Sequence, residues 1–320
     1  MRVYRGLPAS ANGPVALTIG NFDGVHRGHQ AMLSRLIDAA EDLGLPPAVL
    51  TFDPHPREFF APASAPPRLA SLRTKLERFA ALGVARTYIV RFDSQFAAHT
   101  PRDFVDEVLT LRLGARWVLV GDDFRFGRGR AGDAAALRTL AQRFSVEAMR
   151  SVCVDGDRAS SSAVRDALAE ADFARAARLL GRPYAIGGRV AHGAKLGRTL
   201  GFPTANLRLR RLPPLTGIYA VRVHGLAAAP REAVASLGVR PTVTQGGEPL
   251  LEVYIFDFDA DIYGRRIDVE FLHKIRDEAR YPDLHALTRQ IRRDVQRARE
   301  FFARCSPPRP GGGAALAARA

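Results

Sequence analysis

The first half of the chain alternates short apolar runs with helical patterns, and this alternation constrains the fold more than any other feature. The runs have the length and composition of strands and cover residues 15–20, 48–52, 87–90, 117–121 and 145–153. Between them, apolar residues recur at helical spacing over residues 28–43, 72–82, 101–111 and 133–144. Strands that alternate with helices predict a parallel sheet covered by helices on both faces.

The second half has a different texture, in which glycines punctuate strands and helical patterns are few. Two alanine-rich helical segments, 162–170 and 173–180, end at Gly181-Arg182-Pro183, where glycine and proline stop the helix. Further strands are predicted at residues 185–192, 204–209, 218–224, 233–237, 250–256 and 266–271. They predict a six-stranded antiparallel β-barrel, with a C-terminal amphipathic helix over residues 284–302 on its outside.

The break at Gly181 divides the chain into two predicted domains, residues 1–181 and residues 182–305. A length of 320 residues suits two units, because the usual allowance is about 150 residues per domain. The tail, residues 306–320, is rich in proline, glycine and alanine, and we expect it to be disordered.

The chain is strongly basic, and almost all of its positive charge is arginine. The formal net charge is +14, and lysine occurs only at positions 75, 195 and 274. Such a field attracts either a polyanion or small phosphorylated substrates. The basic residues are dispersed, whereas nucleic-acid-binding arms concentrate them, so we expect phosphorylated small molecules and no nucleic-acid partner.

Cysteine content and the N-terminus bear on location. Cys153 and Cys305 are too few for a disulfide framework or a zinc cluster, which favours unpaired thiols in a reducing compartment. Residues 1–6 lack an apolar signal segment, and no run approaches the roughly 18 apolar residues of a membrane span. We therefore expect a cytoplasmic protein without a membrane partner, as a monomer or a weak homo-oligomer.

The most informative motif spans residues 20–29 (GNFDGVHRGH), where the first predicted strand meets the first predicted helix. In an open parallel sheet this turn lies at the carboxyl end of a strand, where ligands bind, and a helix N-terminus offers N–H donors to phosphate. Gly28 removes a side chain where a nucleotide could approach, and His26 and His29 can donate hydrogen bonds to phosphate oxygens. A single histidine beside a loop is more often a surface or capping residue.

Other phosphate motifs are absent from this turn. It has neither the Gly-x-Gly-x-x-Gly of dinucleotide-binding folds nor the Gly-Lys-Ser/Thr of a P-loop. Hydride transfer and P-loop kinase chemistry therefore lose support in the first half of the chain.

With further segments, this half resembles the nucleotidyltransferase superfamily, and more narrowly the adenylyltransferase half of the bacterial bifunctional riboflavin kinase/FAD synthetases. The matching segments are residues 51–56 (TFDPHP), 121–127 (GDDFRFG) and 158–165 (RASSSAVR). The resemblance implies a Rossmann-like nucleotidyltransferase domain in which His26 and His29 are catalytic. The residues implied to bind ATP or its phosphates here are Gly20, Asn21, Phe22, Asp23, Gly28, Arg158, Ser161, Ser162 and Arg165.

The same resemblance places three residues at the flavin, namely Asp53, Asp123 and Phe124, and leaves open whether Asp123 contacts adenine or flavin. Asp53 would position the metal or the substrate, or would only cap the turn at residues 54–56. The 158–165 segment would bind pyrophosphate, or would be an ordinary serine N-cap flanked by exposed arginines. This chain departs from the family at Ala159 and Ser162, where relatives usually have a larger apolar residue and threonine, and at Asp123, where some relatives have asparagine.

A second motif block occupies residues 188–206 (GRVAHGAKLGRTLGFPTAN). Its glycines let the backbone wrap a nucleotide closely. Thr204 and Asn206 lie two residues apart, so on a strand both would face one side and offer hard oxygens to Mg²⁺. A polar strand edge would show the same pattern. The residues expected to bind ATP in this block are Gly188, Gly193, Lys195, Gly197, Gly201 and Pro203.

This block resembles the riboflavin kinase module, together with residues 217–219 (GIY), 251–254 (LEVY) and 259–264 (DADIYG). The resemblance implies that Thr204 and Asn206 hold Mg²⁺ with ATP, that Glu252 takes the proton from the ribityl 5′-hydroxyl, and that Arg276 lies near the flavin. Glu252 could instead be a solvated strand residue. Ser236 is a departure, because relatives often have asparagine there.

The combined prediction is an enzyme that phosphorylates riboflavin to FMN in its C-terminal domain and joins FMN to AMP in its N-terminal domain, with riboflavin, FMN and ATP as substrates and Mg²⁺ as cofactor. One alternative is an adenylyl- or cytidylyltransferase with another acceptor and a C-terminal domain that only binds. The other is a basic nucleic-acid-binding protein, which would show salt-sensitive binding and no ATP turnover.

Overall fold

The computed structural model describes residues 1–193, 196–239 and 249–305. The predicted phosphate ligand Lys195 and the predicted disordered tail, residues 306–320, lie outside the described residues. The chain divides into two compact units, Met1–Tyr184 and a second that begins at Ala185. Each unit is a fold of its own.

The first unit is built on a six-stranded sheet whose strands are all parallel. Its strands are β1 (Arg2–Arg5), β2 (Val15–Ile19), β3 (Pro47–Phe52), β4 (Arg86–Val90), β5 (Ala115–Gly121) and β8 (Ser145–Met149). The order across the sheet is β1-β4-β3-β2-β5-β8. Two small hairpins accompany it, β6 (Arg125–Phe126) with β7 (Gly132–Asp133) and β9 (Cys153–Val154) with β10 (Asp157–Arg158).

Helices connect these strands. The α-helices of the first unit are α1 (Arg27–Asp42), α2 (Pro56–Phe60), α3 (Leu72–Ala81), α4 (Ser94–Ala97), α5 (Pro101–Asp103), α6 (Ala134–Leu140), α7 (Ser161–Ala169) and α8 (Phe173–Leu180). A π-helix, Phe104–Arg112, continues α5, and single 3₁₀ turns occupy Pro62–Ser64 and Arg128–Arg130. The helix predicted over residues 101–111 is thus mostly π-helical.

Strand residues alternate between two cores, one on each face of the sheet. On β2, Val15 and Leu17 pack with the π-helix and α6, whereas Ala16 packs with α1 and α3. All three side chains are fully buried. A parallel sheet buried on both faces explains why its strands are nearly continuous apolar runs in the sequence.

Two boundaries differ from the prediction. The strand predicted over residues 145–153 ends at Met149, because the Ser151 amide donates to the Asp122 carboxylate at 3.4 Å instead of extending the ladder with β5. Cys153 begins the separate β9–β10 hairpin. The helix predicted over residues 133–144 ends at Leu140, and Asp133 is its N-cap, accepting from the Ala136 amide at 2.9 Å.

The second unit is an antiparallel barrel. Its strands are β11 (Ala185–Arg189), β12 (Ala205–Arg208), β13 (Gly217–His224), β14 (Arg231–Val239), β15 (Pro249–Ile255) and β16 (Arg266–Arg276). Among the residues described, the strand order is β11-β16-β13-β14-β15-β12. The two end strands meet at one bridge, where the Ala191 amide donates to the Asn206 carbonyl at 2.8 Å. This bridge brings the sheet close to full closure.

Alternation along the strands fills the barrel and leaves an outer face for helices. Leu207, Leu251 and Val253 are fully buried, while Glu252 and Tyr254 on the other face are partly exposed. The long helix α10 (Leu284–Cys305) packs Ala298 and Phe302 against that side of the barrel, and a short α9 (Leu196–Thr199) precedes β12. The fold class predicted from the sequence is confirmed for both units.

In the part of the chain that the structure describes, no helix has both the length and the apolar character needed to cross a bilayer. The cytoplasmic location and the oligomeric state stay predictions.

Candidate active sites

The first site lies where the strand order of the parallel sheet reverses. From β2 the chain runs outward to β3 and β4 on one side, and later to β5 and β8 on the other. Ligands of such sheets bind in the crevice outside the carboxyl ends of the strands at this switch point. The segments that follow β2 and β5, residues 20–29 and 121–127, both start at that crevice.

The two histidines of the β2–α1 turn are in direct contact. His26 is the N-cap of α1, and its Nδ1 accepts from the His29 amide at 3.4 Å. Their rings stack with centroids 3.6 Å apart. A side chain at Gly28 would place its Cβ 2.9 Å from the Ala159 carbonyl oxygen and 3.2 Å from the His26 ring. Glycine at 28 therefore lets the segment before α7 close over the histidine pair.

Both imidazoles are held neutral. Burial, with the nearby charges of Arg165, Arg182 and Arg158, lowers the pKa of His26 from 6.5 to about 4. Burial, the neighbouring His26 and the Lys75 ammonium keep the pKa of His29 well below its usual value. The buried Nδ1 of His29 has no hydrogen-bond partner among the described residues. These neutral rings can each offer one N–H to a ligand.

The Asp23 carboxylate organises the turn from inside. It accepts from the backbone amides of Leu69 and Ala70 at 3.1 and 3.2 Å and from Arg165 Nη2 at 2.6 Å. The Asp23 side chain is 3% exposed and that of Arg165 is 13% exposed, so the pair is shielded from water. The sequence-predicted ATP ligands Asp23 and Arg165 are therefore bound to each other.

The start of α7 faces the same turn. Ser160 caps the helix, accepting from the Ala163 amide at 3.1 Å, and Ser161 Oγ donates to the Asp23 carbonyl at 2.9 Å. Ser162 is exposed on the first turn. Arg158 Nη2 pairs with Asp123 at 2.7 Å, which joins this segment to the turn after β5. Ser162 and Arg158 are thus the groups of this segment that face solvent.

The remaining predicted residues of this unit lie around the crevice. Gly20 and Asn21 follow β2, and Phe22 is buried against Phe79 and His29 with ring centroids 5.3 and 5.0 Å away. Asp53 follows β3, with its Oδ1 3.6 Å from Arg68 Nη2, and does not cap α2, because His55 does. Phe124 stacks on Phe126 at 5.5 Å beyond β5.

Lys75 is part of this site and was not predicted. Its ammonium, on α3, is buried and donates to the Asn21 carbonyl at 2.9 Å and to Thr51 Oγ1 at 3.0 Å. A signal does exist in the sequence. One of only three lysines in an arginine-rich chain lies on the apolar stripe of a predicted helix, where a charge needs a reason.

The second site is set by strand register in the barrel. Asn206 on β12 pairs with Glu252 on β15, and Glu252 pairs with Ser236 on β14. Side chains directly opposite one another on adjacent strands share a face, so these three polar groups lie side by side. Their face is opposite to that of the buried Leu207 and Leu251, which fill the barrel.

The glycine-rich loop folds over the two predicted metal ligands. A Cβ at Gly193 would lie 2.6 Å from Asn206 Nδ2, and a Cβ at Gly197 would lie 3.5 Å from Thr204 Oγ1. Gly201 and Pro203 are exposed in the same loop. At Gly188 a Cβ would lie 2.9 Å from the Leu207 side chain, so this glycine packs closely against the barrel core, and its contact with ATP stays a prediction.

The donor set beside Glu252 fits a hard divalent cation. Asn206 Oδ1 is buried and lacks a hydrogen-bond partner among the residues described, while its Nδ2 donates to the Thr204 carbonyl at 3.1 Å. A buried amide oxygen without a hydrogen bond raises the free energy of the folded state unless a ligand bonds to it. Within residues 1–193, 196–239 and 249–305, no three His, Cys, Asp or Glu side chains group around a metal position. Mg²⁺ in proteins usually keeps phosphate oxygens and waters beside one or two protein oxygens, and Asn206 Oδ1 would suit such a site.

Arg276 forms hydrogen bonds with helix α10. Its Nε and Nη2 donate to the Asp294 carboxylate at 2.9 and 2.6 Å, and its Nη1 donates to the Asp277 carbonyl at 2.7 Å. Glu278 contacts Gly238 on β14, and burial and the Glu252 charge raise its pKa, against the lowering effect of Arg276. Arg276 and Glu252 thus belong to the same charged neighbourhood.

Comparison with known proteins decides the family. A family model described as FAD synthetase matches residues 9–163, and one described as riboflavin kinase matches residues 180–302. The bifunctional riboflavin kinase/FMN adenylyltransferase of Escherichia coli (strain K12) is 47% identical over 313 residues, which are 96% of this chain and 100% of that protein. The chain belongs to the bifunctional riboflavin kinase/FMN adenylyltransferase family.

A second relative carries the same description, and one solved structure with a different description matches most of the chain. The protein of the same description from Pseudomonas fluorescens is 49% identical over 289 residues, 89% of this chain and 92% of its own length. A crystal structure described as a macrolide-efflux protein from Streptococcus pneumoniae matches with a TM-score of 0.74 and 30% identity, over 93% of this chain and 99% of that chain.

The predicted family and its two activities are confirmed. The alternative of a nucleotidyltransferase with a C-terminal domain that only binds is excluded by the riboflavin kinase match. Both activities of the family use ATP, with riboflavin and FMN as the other substrates. The expected lack of a nucleic-acid partner stays a prediction.

Proposed function

We propose that the barrel unit phosphorylates riboflavin at the site formed by Thr204, Asn206 and Glu252, and that the sheet unit adenylylates FMN at the site formed by His26, His29 and the start of α7. The observation that carries this proposal is that each motif set assembles within its own unit, one at the switch point and one across three neighbouring strands. Each site would bind its own ATP.

In the barrel, the 5′-hydroxyl of riboflavin attacks the γ-phosphorus of ATP and ADP leaves. Glu252 accepts the hydroxyl proton, a task that suits a carboxylate beside the phosphates. Asn206 and Thr204 would hold Mg²⁺ through side-chain oxygens, and the cation would neutralise phosphate charge during transfer. Two observations support these ligands. Asn206 pairs with Glu252 on the adjacent strand, and Asn206 Oδ1 has no hydrogen-bond partner among the described residues.

In the sheet unit, a phosphate oxygen of FMN attacks the α-phosphorus of ATP, the bond to the β-phosphate breaks, and pyrophosphate leaves. His26 and His29 donate hydrogen bonds to the charge that develops, while Ser162, Arg158 and the amides at the start of α7 hold the leaving phosphates. Asp23 and Arg165 would act by holding the turn, because they bind each other.

Single substitutions separate the two activities. We expect Glu252→Gln to lower riboflavin phosphorylation about 100-fold or more and to leave FMN adenylylation unchanged, since it removes only the proton acceptor of one site. We expect His29→Ala to do the reverse, with a loss of about 100-fold in adenylylation. The measurement is separation of riboflavin, FMN and FAD after incubation with Mg-ATP. Loss of both activities in either folded variant would contradict the proposed division.

A further inference from the structure

Side chains from outside the β2–α1 turn, residues 20–29, donate hydrogen bonds to the backbone carbonyl groups of this turn. The Asn21 carbonyl accepts from Lys75 Nζ at 2.9 Å, and the Gly24 carbonyl accepts from Arg182 Nη2 at 2.6 Å. The Val25 carbonyl accepts from Arg182 Nη1 at 3.1 Å and from Gln30 Nε2 at 2.8 Å. Two cationic side chains, those of Lys75 and Arg182, therefore hold the backbone of the turn at two separate points.

The turn needs such support because its backbone is strained. Phe22 and Val25 have φ of +50° and +44°, and Gly24 between them has φ of +80°. A positive φ is unfavourable for any residue with a Cβ, and for β-branched Val25 it is a true outlier. Each such residue costs about 1–3 kcal/mol and persists only where the surroundings impose it.

Burying the Lys75 ammonium has a free-energy cost. Its side chain is 3% exposed, and both of its hydrogen bonds go to neutral oxygens, those of Asn21 and Thr51. Burial, with the nearby charge of Arg68, lowers its pKa from 10.5 to about 8. An ammonium that gave only packing would be replaced at lower cost by an apolar side chain.

Arg182 does the same at the other end. Besides the Gly24 and Val25 carbonyls, its Nη1 donates to the Leu180 carbonyl at 3.0 Å, so the end of α8 and the turn share one guanidinium. Burial and the charge of Arg78 lower its pKa to about 10. Neither Lys75 nor Arg182 belongs to the motif segments of this unit.

We propose that Lys75 and Arg182 are positioning residues for adenylyl transfer, which hold the strained turn so that His26 and His29 face the phosphates of ATP. This inference rests on the proposed role of the two histidines. Neither cation touches the substrate in this scheme. Their effect should therefore appear in the chemical step, where a misplacement of about 1 Å costs about 100-fold.

The test is a kinetic comparison of full-length variants. We expect Lys75→Met to lower kcat for FMN adenylylation about 10- to 100-fold while the KM values for ATP and FMN stay within about threefold, because removing an interaction that acts only in the transition state lowers kcat and kcat/KM together. Arg73→Met is the matched control, because Arg73 lies on the same helix with its side chain 61% exposed. It should leave both activities unchanged.

Other outcomes discriminate. An unchanged kcat in Lys75→Met, or a raised KM for ATP with unchanged kcat, would overturn the inference. If Lys75→Met fails to fold, Arg182→Gln and Arg182→Lys replace it; the glutamine variant should show the same loss in kcat, and lysine should restore part of it. An equal loss in both Arg182 variants would count against the inference. If His29→Ala keeps full adenylylation, the proposed site itself is wrong, which the Lys75 variant alone would not reveal.

Discussion

At His26 and His29, burial decides the protonation state. His26 is 6% exposed, and its pKa of about 4 means that the folded chain leaves it neutral where the unfolded chain, near pKa 6.5, would take up a proton. Between those two values the unfolded state binds more protons, so stability falls as pH falls from about 6.5 toward 4. Neutral rings at physiological pH also suit hydrogen-bond donation without proton exchange.

The acid sensitivity of the first unit can be measured through Trp117, the single tryptophan, which is buried in β5. We expect His26→Asn to lose about 2 kcal/mol less unfolding free energy than the natural chain between pH 7 and pH 5, because asparagine keeps the N-cap but takes up no proton. Urea unfolding at the two pH values gives the comparison. Identical losses in the two proteins would show that His26 is not the responsible group.

Residue types predicted the histidine pair but not its support. His26 and His29 stand in a motif whose spacing has chemical meaning. Lys75 and Arg182 act on backbone carbonyls; a lysine on the apolar stripe of a helix indicates that its charge has a partner, but the sequence does not show which atom that is. Likewise, the sequence suggested Asp23 and Arg165 as ATP ligands, and only the folded structure shows that they bind each other. Contacts between distant positions, such as 23 and 165, depend on the three-dimensional path of the chain.

At the scale of elements, α10 is fastened to β16 by the buried pair of Asp294 and Arg276. The side chains are 5% and 18% exposed, and the carboxylate also accepts from Gln290 Nε2 at 2.9 Å. On the same helix, Arg299 pairs with Asp257 at 2.8 Å, but those side chains are 46% and 78% exposed. The two pairs have similar geometry and differ mainly in their exposure to water.

This contrast makes a matched prediction. Asp294→Asn should destabilise the barrel unit by about 3–5 kcal/mol, because it leaves a guanidinium buried without its partner. Asp257→Asn should cost about 0–1 kcal/mol, since exposed pairs contribute little. Calorimetric unfolding measures both, and the KM for riboflavin should rise only in the first variant if Arg276 lies near the flavin. Equal destabilisation by the two changes would contradict this account.

Elements with strong periodicity were predicted, and weak ones were missed. The strands of the barrel and the central strands of the parallel sheet follow from their apolar runs, whereas the edge strand β1 has the sequence RVYR and no such run. Strand β1 pairs with β4, although the composition of β1 does not predict a strand. The end of β8 was missed because a side-chain contact, that of Asp122 with Ser151, sets it.

At the scale of the whole molecule, the chain joins two enzymes with separate chemistry. The two proposed sites are built from residues of different units. The order of strands in the parallel sheet could not be predicted from the sequence, because alternation of strands and helices permits several orders; the chain reversal at β2 and β5 is a property of the folded sheet.

Separate sites predict complementation between defective copies. We expect Glu252→Gln to make FMN only slowly and His29→Ala to adenylylate it only slowly, so each alone should form little FAD from riboflavin. We expect a mixture of the two to form FAD after a lag in which free FMN accumulates, as followed by chromatography of the flavins. A mixture that forms FMN but no FAD, although the Glu252→Gln protein converts added FMN, would show that FMN is not released from the barrel site.

The bridge between Ala191 and Asn206 joins the two ends of the barrel sheet. Asn206 contributes its carbonyl to this bridge and its side-chain amide oxygen to the candidate cation position. Capture of a cation by that oxygen would stiffen Asn206 and, through it, the link itself. The same residue would then connect cation binding to the backbone contact between the two end strands.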